Sequence, residues 1–273
     1  MRGTALFILS IRGIIVDQIN TSASKLKTQD NSQPAQDTFT QADKQGLYKT
    51  IFNRRDVRGQ FLPTPIPDEV LSRVLYASHH APSVGFMQPW DYIVIRSNEI
   101  KEKVKQDFNL AHQEAEQMFS SEKQATYKNL KLEGITESPI NICITCDRER
   151  TGETVIGRTH MKEMDLYSSV CAVQNFWLAA RSENLGVGWV SILHHDALRA
   201  TLNLPTNIVP IAYLCVGYVS HFHQAPELET ANWLPRRPLI DAIKYEQWGK
   251  ENSEDSLSQQ VNKDADFVKQ FLK

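Results

Sequence analysis

MDLYSSVCAVQNFWLAARSENLGVGWVSIL, residues 164–193, carries the reading that decides the fold. Across Met164–Ser182 the apolar side chains Leu166, Val170, Val173, Phe176, Trp177 and Leu178 reach nearly every side of a 3.6-residue helix. A helix with so little polar face is buried in a core or in a subunit interface. Gly186 is expected to stop it, and Gly188–Leu193 then reads as a strand. Working outward, Asp68–His80 places Val70, Leu71, Val74 and Leu75 on one stripe, a helix ended by Pro82. Trp90–Arg96 (WDYIVIR), Pro139–Thr145 and Pro210–Val219 are rich in β-branched and aromatic residues and read as strands. Glu99–Glu133 is highly charged, with spaced Val104, Phe108, Ala111, Ala115 and Met118, and suits surface helices or a lid. Strands and helices are interspersed without a strand–helix–strand rhythm, so the expected class is α+β.

The chain has 273 residues, and its 30 basic and 32 acidic side chains leave a formal charge of −2. A protein devoted to nucleic acid or to an anionic membrane needs a basic excess, so both are excluded as main partners. Four cysteines make no disulfide scaffold. Met1–Asp17 has an early Arg and an apolar run, Ala5–Leu9, somewhat like a secretory signal. Arg12 interrupts it before it reaches the ~20 residues that span a bilayer. Asn20–Lys44 and the stretch KENSEDSLSQQ after Gly249 are polar and cannot repay their ordering entropy. The expected organisation is a loosely ordered extension over 1–45, a single domain over 46–249 and a polar tail over 250–273.

Cys143-Ile-Thr-Cys146 has the spacing of a metal or redox motif, but in a strand residues three apart point to opposite faces. Gly186-Val-Gly188 starts like a dinucleotide fingerprint, yet Ser191 stands where the third glycine belongs and a strand follows where a helix must. His79-His80 and His194-His195 are adjacent pairs, which diverge on any element, and His221-x-His223 could share a strand face but has no evident carboxylate partner, so no metal centre is expected.

Asn53-Arg-Arg-Asp-Val-Arg58 is the informative cluster. Three guanidiniums within five residues suit bidentate capture of a phosphate, and Arg236-Arg237 stands between prolines near the end of the domain. Ala81–Trp90 (APSVGFMQPW) combines small residues, which permit close backbone approach, with Met87, Gln88 and Trp90 to line a flat aromatic ligand. Together these are compatible with a flavin mononucleotide pocket.

RRDVR, APSVGFMQPW, the lid-like stretch around Met118 and GVGWVS at Gly186–Ser191 closely resemble the dimethylbenzimidazole-synthase (BluB) family of nitroreductase-like flavoproteins. The resemblance runs from about Leu47 to Gly249. It implies a mostly antiparallel sheet flanked by helices, an intertwined homodimer with the segment after Pro226 wrapping the partner, and a cytoplasmic enzyme. It also implies that reduced FMN is consumed as substrate, with dioxygen, to give 5,6-dimethylbenzimidazole and erythrose 4-phosphate. A separate NAD(P)H-dependent flavin reductase would supply the reduced FMN. By position, Arg54, Arg55, Asp56, Val57 and Arg58 would hold flavin and phosphate, with Ser83, Gly85, Met118 and Ser191 near the ring and Arg236 closing the site. Asp56 and Ser191 would be catalytic. Ordinary nitroreductases of this fold usually carry Ser or Thr where this chain has Asp56. Flanked by Arg55 and Arg58, the carboxylate is expected to have a lowered pKa and to start as a proton acceptor. The alternative activities are an NAD(P)H-dependent nitro- or flavin reductase and a flavin-storage protein, and neither needs Asp56.

Overall fold

The computed structural model describes residues 38–272, so the signal-like reading of Met1–Asp17 and most of the amino-terminal extension lie outside the described residues. The chain divides into Met1–Lys44 and Gln45–Lys273. Helix α1, Gln41–Asn53, starts before the expected domain edge. Its start is signalled locally: Thr40 N–H donates to Asp43 Oδ2 (2.8 Å) while Asp43 N–H returns to Thr40 Oγ1 (3.3 Å), a reciprocal cap.

The centre is a four-stranded antiparallel sheet in the order β1-β2-β4-β3, with β1 Trp90–Ile95, β2 Ile140–Asp147, β3 Leu185–Val190 and β4 Ile208–Tyr218. Period-2 alternation gives the two inner strands a core on each face. On one face Ile142, Ile144, Leu214 and Val216 meet α2 (Asp68–His79) and α5 (Met164–Ser182) through Leu71, Val74, Ala172, Val173 and Phe176. On the other, Cys143, Tyr213 and Cys215 pack with Val104 and Phe108 of α3 (Asn98–Gln117) and Leu198 of α6 (His195–Thr201). Cys143 therefore faces α3, whereas Cys146 faces Ser169 of α5, as strand geometry requires. Helix α3 is amphipathic with a buried stripe, so the charged region is anchored over its first part; α4 (Ser121–Asn129) follows it. Among the described residues no helix is long and apolar enough to cross a membrane.

Three expectations change. Strand β3 spans Leu185–Val190 rather than Gly188–Leu193, and α5 is closed by Asn184, whose φ of 61° supplies the left-handed turn expected of Gly186. The polar tail carries α8 (Ser256–Lys263) and α9 (Ala265–Lys269), after the short α7 (Glu227–Thr230). Phe267 and Phe271 pack against Tyr48 and Phe52 with ring centroids 5.4–6.1 Å apart, and Asn53 Nδ2 donates to the Phe271 carbonyl at 2.7 Å. These aromatics lie beyond the polar run from which the tail was read. After Pro226, Trp233 stands edge-on to Phe119 of the same chain at 5.2 Å.

Candidate active site

The arginine motif leaves α1 and runs alongside β3. Val57 N–H donates to the Val187 carbonyl at 3.0 Å, making Asp56 a parallel neighbour of Val187. Gly186 and Gly188 make this possible. A Cβ on Gly188 would sit 2.0 Å from the Val57 carbonyl oxygen, and one on Gly186 would sit 2.9 Å from Val57 Cγ2. The glycines that looked like a failed nucleotide fingerprint are thus the seat of the arginine motif. Val57 itself is buried against them, so its side chain belongs to the core and not to a ligand surface.

Asp56 is held from two sides. Its Oδ1 accepts the Trp189 N–H at 3.0 Å and its Oδ2 accepts from Arg58 at 2.8 Å. Burial raises its pKa above the ordinary carboxylate value, against the opposing pull of Arg58 and the Trp189 N–H. That reverses the sequence expectation: desolvation outweighs the neighbouring guanidiniums, and Asp56 holds a proton more readily than a free aspartate. Ser191 lies just past the end of β3, exposed and two residues from the Trp189 that Asp56 grips.

A cavity of about 840 Å³ opens beside the motif, lined by Arg54, Arg55, Asp56, Arg58, Glu227 and Arg236 among others. Arg55 is buried; its NH1 donates to the Phe52 and Arg54 carbonyls at 2.8 Å and its NH2 to the Gln224 carbonyl. Its Nε is buried without a partner among the described residues. Arg54 lies over the Trp177 ring at 4.8 Å. Burial lowers the pKa of both Arg54 and Arg55, and repulsion from Arg236 adds to it. Crowded, partly desolvated guanidiniums of this kind are stabilised by an anion. Both arginines of the proline-bracketed pair are exposed and line the cavity, Arg237 donating to the Asp241 carbonyl.

Sequence reasoning missed the opposite wall. Glu227 approaches Arg58 at 3.8 Å and His223 at 3.1 Å, and Gln60 meets His223 at 2.8 Å. His223 and Glu227 lie more than 160 residues from Gln60 in sequence, and their four-residue spacing was the one local signal; Glu227 is the carboxylate partner that His223 was expected to lack.

The Ala81–Trp90 loop stands apart from the cavity lining. Ser83 Oγ accepts the Gln88 N–H at 3.0 Å. Gly85 has φ 59°, and a Cβ there would lie 2.4 Å from Val155 Cγ1, so its small size is used by the chain's own Val155–Ile156. Met87 and Trp90 are buried, the indole N–H donating to His79 Nδ1 at 3.0 Å, and do not line a ligand surface as expected. Met118 caps the end of α3 with its side chain exposed. Within one chain, therefore, Arg54, Arg55, Asp56, Arg58 and Arg236 converge, whereas Ser191, Ser83, Gly85 and Met118 lie outside the lining of the cavity, Ser191 two residues beyond the Trp189 that Asp56 holds.

Residues 51–218 match the nitroreductase family. The 5,6-dimethylbenzimidazole synthase of Rhodospirillum rubrum is 37% identical over 200 residues, covering 73% of this chain and 94% of the relative. That of Rhodobacter capsulatus is 34% identical, covering 73% and 96%. Among solved structures, an iodotyrosine deiodinase bound to FMN and 3-iodo-L-tyrosine superposes with a TM-score of 0.59 at 18% identity, covering 74% of this chain and all of that one. A BluB-like flavoprotein from Clostridium difficile 630 superposes with a TM-score of 0.56 at 19% identity, covering 74% and 99%. At those identities the structures speak for the fold, while the family match and the relatives above 30% identity reach further: the chain belongs to the nitroreductase family.

Proposed function

We propose that this chain is a 5,6-dimethylbenzimidazole synthase that consumes reduced FMN and dioxygen to give 5,6-dimethylbenzimidazole and erythrose 4-phosphate. The observation that carries the reading is Asp56, set among arginines and gripping the Trp189 N–H two residues before Ser191. The curated relatives at 32–37% identity carry that synthase name. The residues present fit FMN: the unpartnered Arg55 Nε and the crowded guanidiniums of the 840 Å³ cavity call for a phosphate. Reduced FMN supplies electrons for dioxygen and the carbon skeleton of the product.

Arg54, Arg55, Arg58 and Arg236 would hold the phosphate throughout, because one product retains it. Asp56, its pKa raised by burial, would keep or return a proton at Oδ2, with Oδ1 fixed on the Trp189 N–H. The Ser191 hydroxyl both donates and accepts, so it would orient the reacting end of the ligand and pass a proton. Ser83, Gly85 and Met118 lie off the cavity within one chain, so a second copy in a homodimer would bring them to the ring, with exposed Tyr167 and Val170 of α5 in the contact. The consumption of reduced flavin requires a separate NAD(P)H-dependent flavin reductase, and that chemistry favours the cytoplasm.

The test is Asp56→Asn. The variant is expected to bind FMN within a few-fold of the native protein and to form no dimethylbenzimidazole; undiminished product would remove Asp56 from the mechanism.

A further inference from the structure

We propose that His194 is a positioning residue, an imidazolium clamp that fixes the Ser191 segment against helix α3. The inference rests on the reading of Ser191 given above. His194 stands three residues beyond Ser191, in the position that caps α6. Its backbone N–H donates to Asp107 Oδ2 at 2.9 Å. Its ring meets Asp107 Oδ1 through Nδ1 at 2.7 Å and Glu114 Oε2 through Nε2 at 2.9 Å. Ionised carboxylates only accept, so both ring nitrogens donate and the ring carries a positive charge.

Asp107 and Glu114 are seven residues apart, two turns along one face of α3, which is the spacing that allows one imidazole to bridge them. Glu114 precedes Met118 by one turn, so the clamp ties the Ser191 segment to the end of α3 that carries Met118. Upstream, the same segment is held by the Asp56 contact to Trp189 N–H. Ser191 is thereby pinned on both sides by charged groups, with Ile192 and Leu193 packed on the second core between them.

Asp107 and Glu114 are the charges that act on the ring. Alpha3 supplies Asp107 and Glu114; α6 carries His195, Asp196 and Arg199, the last donating to the Ile208 and Pro205 carbonyls. Strand β4 presents Tyr213 and Cys215, both buried, with burial pushing each well above its ordinary pKa. The two carboxylates raise the His194 pKa above that of a free imidazole. A cation favoured by folding is present below its folded pKa and lost as pH rises through it. The clamp is thus closed below the folded pKa of His194 and opens as pH rises through it, at a higher pH than for a free imidazole.

The experiment pairs His194→Gln and Glu114→Gln with Ser191→Ala in the full chain. Ring nitrogen shifts of His194 would be followed by NMR across pH, and kcat and KM for product formation across the same range. Expected are a His194 titration above that of a free imidazole, moved down by Glu114→Gln, and a native kcat that falls along the same limb. His194→Gln should lower kcat about tenfold or more with KM for flavin nearly unchanged, the size that follows from small misplacement of a reacting group. Glu114→Gln, which is exposed and leaves the fold intact, should move the kcat limb to lower pH. An unshifted ring titration, or a native kcat profile in both variants, would overturn the clamp. If Ser191→Ala is fully active, the Ser191 reading itself fails and takes the clamp with it; if only the His194 and Glu114 variants are unaffected, the clamp alone fails.

Discussion

Asp56 shows how a single residue's setting decides its chemistry. From sequence it sits between arginines and should be acidic; in the fold its carboxylate is half-buried at the β3 edge, and loss of hydration raises its pKa. The position was legible in the sequence, and the sign of the shift was not, because desolvation depends on β3, which arrives 130 residues later. Gly188 is the complementary case, since its lack of a side chain lets the Val57 carbonyl approach. Gly188→Ala places a methyl 2.0 Å from that oxygen and is expected to cost about 1–3 kcal/mol and to displace the arginine motif. Thermal unfolding together with FMN titration checks this; a native midpoint with native flavin affinity would show that the close approach is not needed.

At the scale of elements, the span of the long helix was readable: the all-round apolar spacing over Met164–Ser182 matches the structure, although its stop is Asn184 and not the expected Gly186. The strand after it was displaced because two glycines looked like punctuation. They lie inside β3, where tertiary packing of Asp56–Val57 needs them. The start of α5 also anchors the Gly85 loop. Asp165, fully buried, accepts from Arg158 at 2.9 Å and pairs with Arg148 at 3.0 Å, and Arg158 holds the segment whose Val155 fills the space before Gly85. Asp165→Asn leaves two guanidiniums without their countercharge and is expected to destabilise by about 3–5 kcal/mol, measured by denaturant unfolding. A change within about 0.5 kcal/mol, the range of ordinary surface substitutions, would mean that the pair does not anchor the loop.

At the scale of the whole molecule, one chain gathers the arginines that we propose hold a phosphate and leaves Ser83, Gly85, Met118 and Ser191 outside that cavity. The sequence had brought all of them together through resemblance, which records what converges in an assembly and says nothing of which copy supplies it. Light scattering on the purified protein is expected to give twice the 31.1 kDa chain mass; a monomer that binds FMN tightly would refute the shared site. The most direct measurement of the central claim is aerobic incubation with FMN, NADH and a generic flavin reductase, followed by chromatography. Loss of flavin matched mole for mole by 5,6-dimethylbenzimidazole is the predicted result. NADH oxidation by the protein alone, with flavin intact and no benzimidazole, would contradict it and make the chain a reductase.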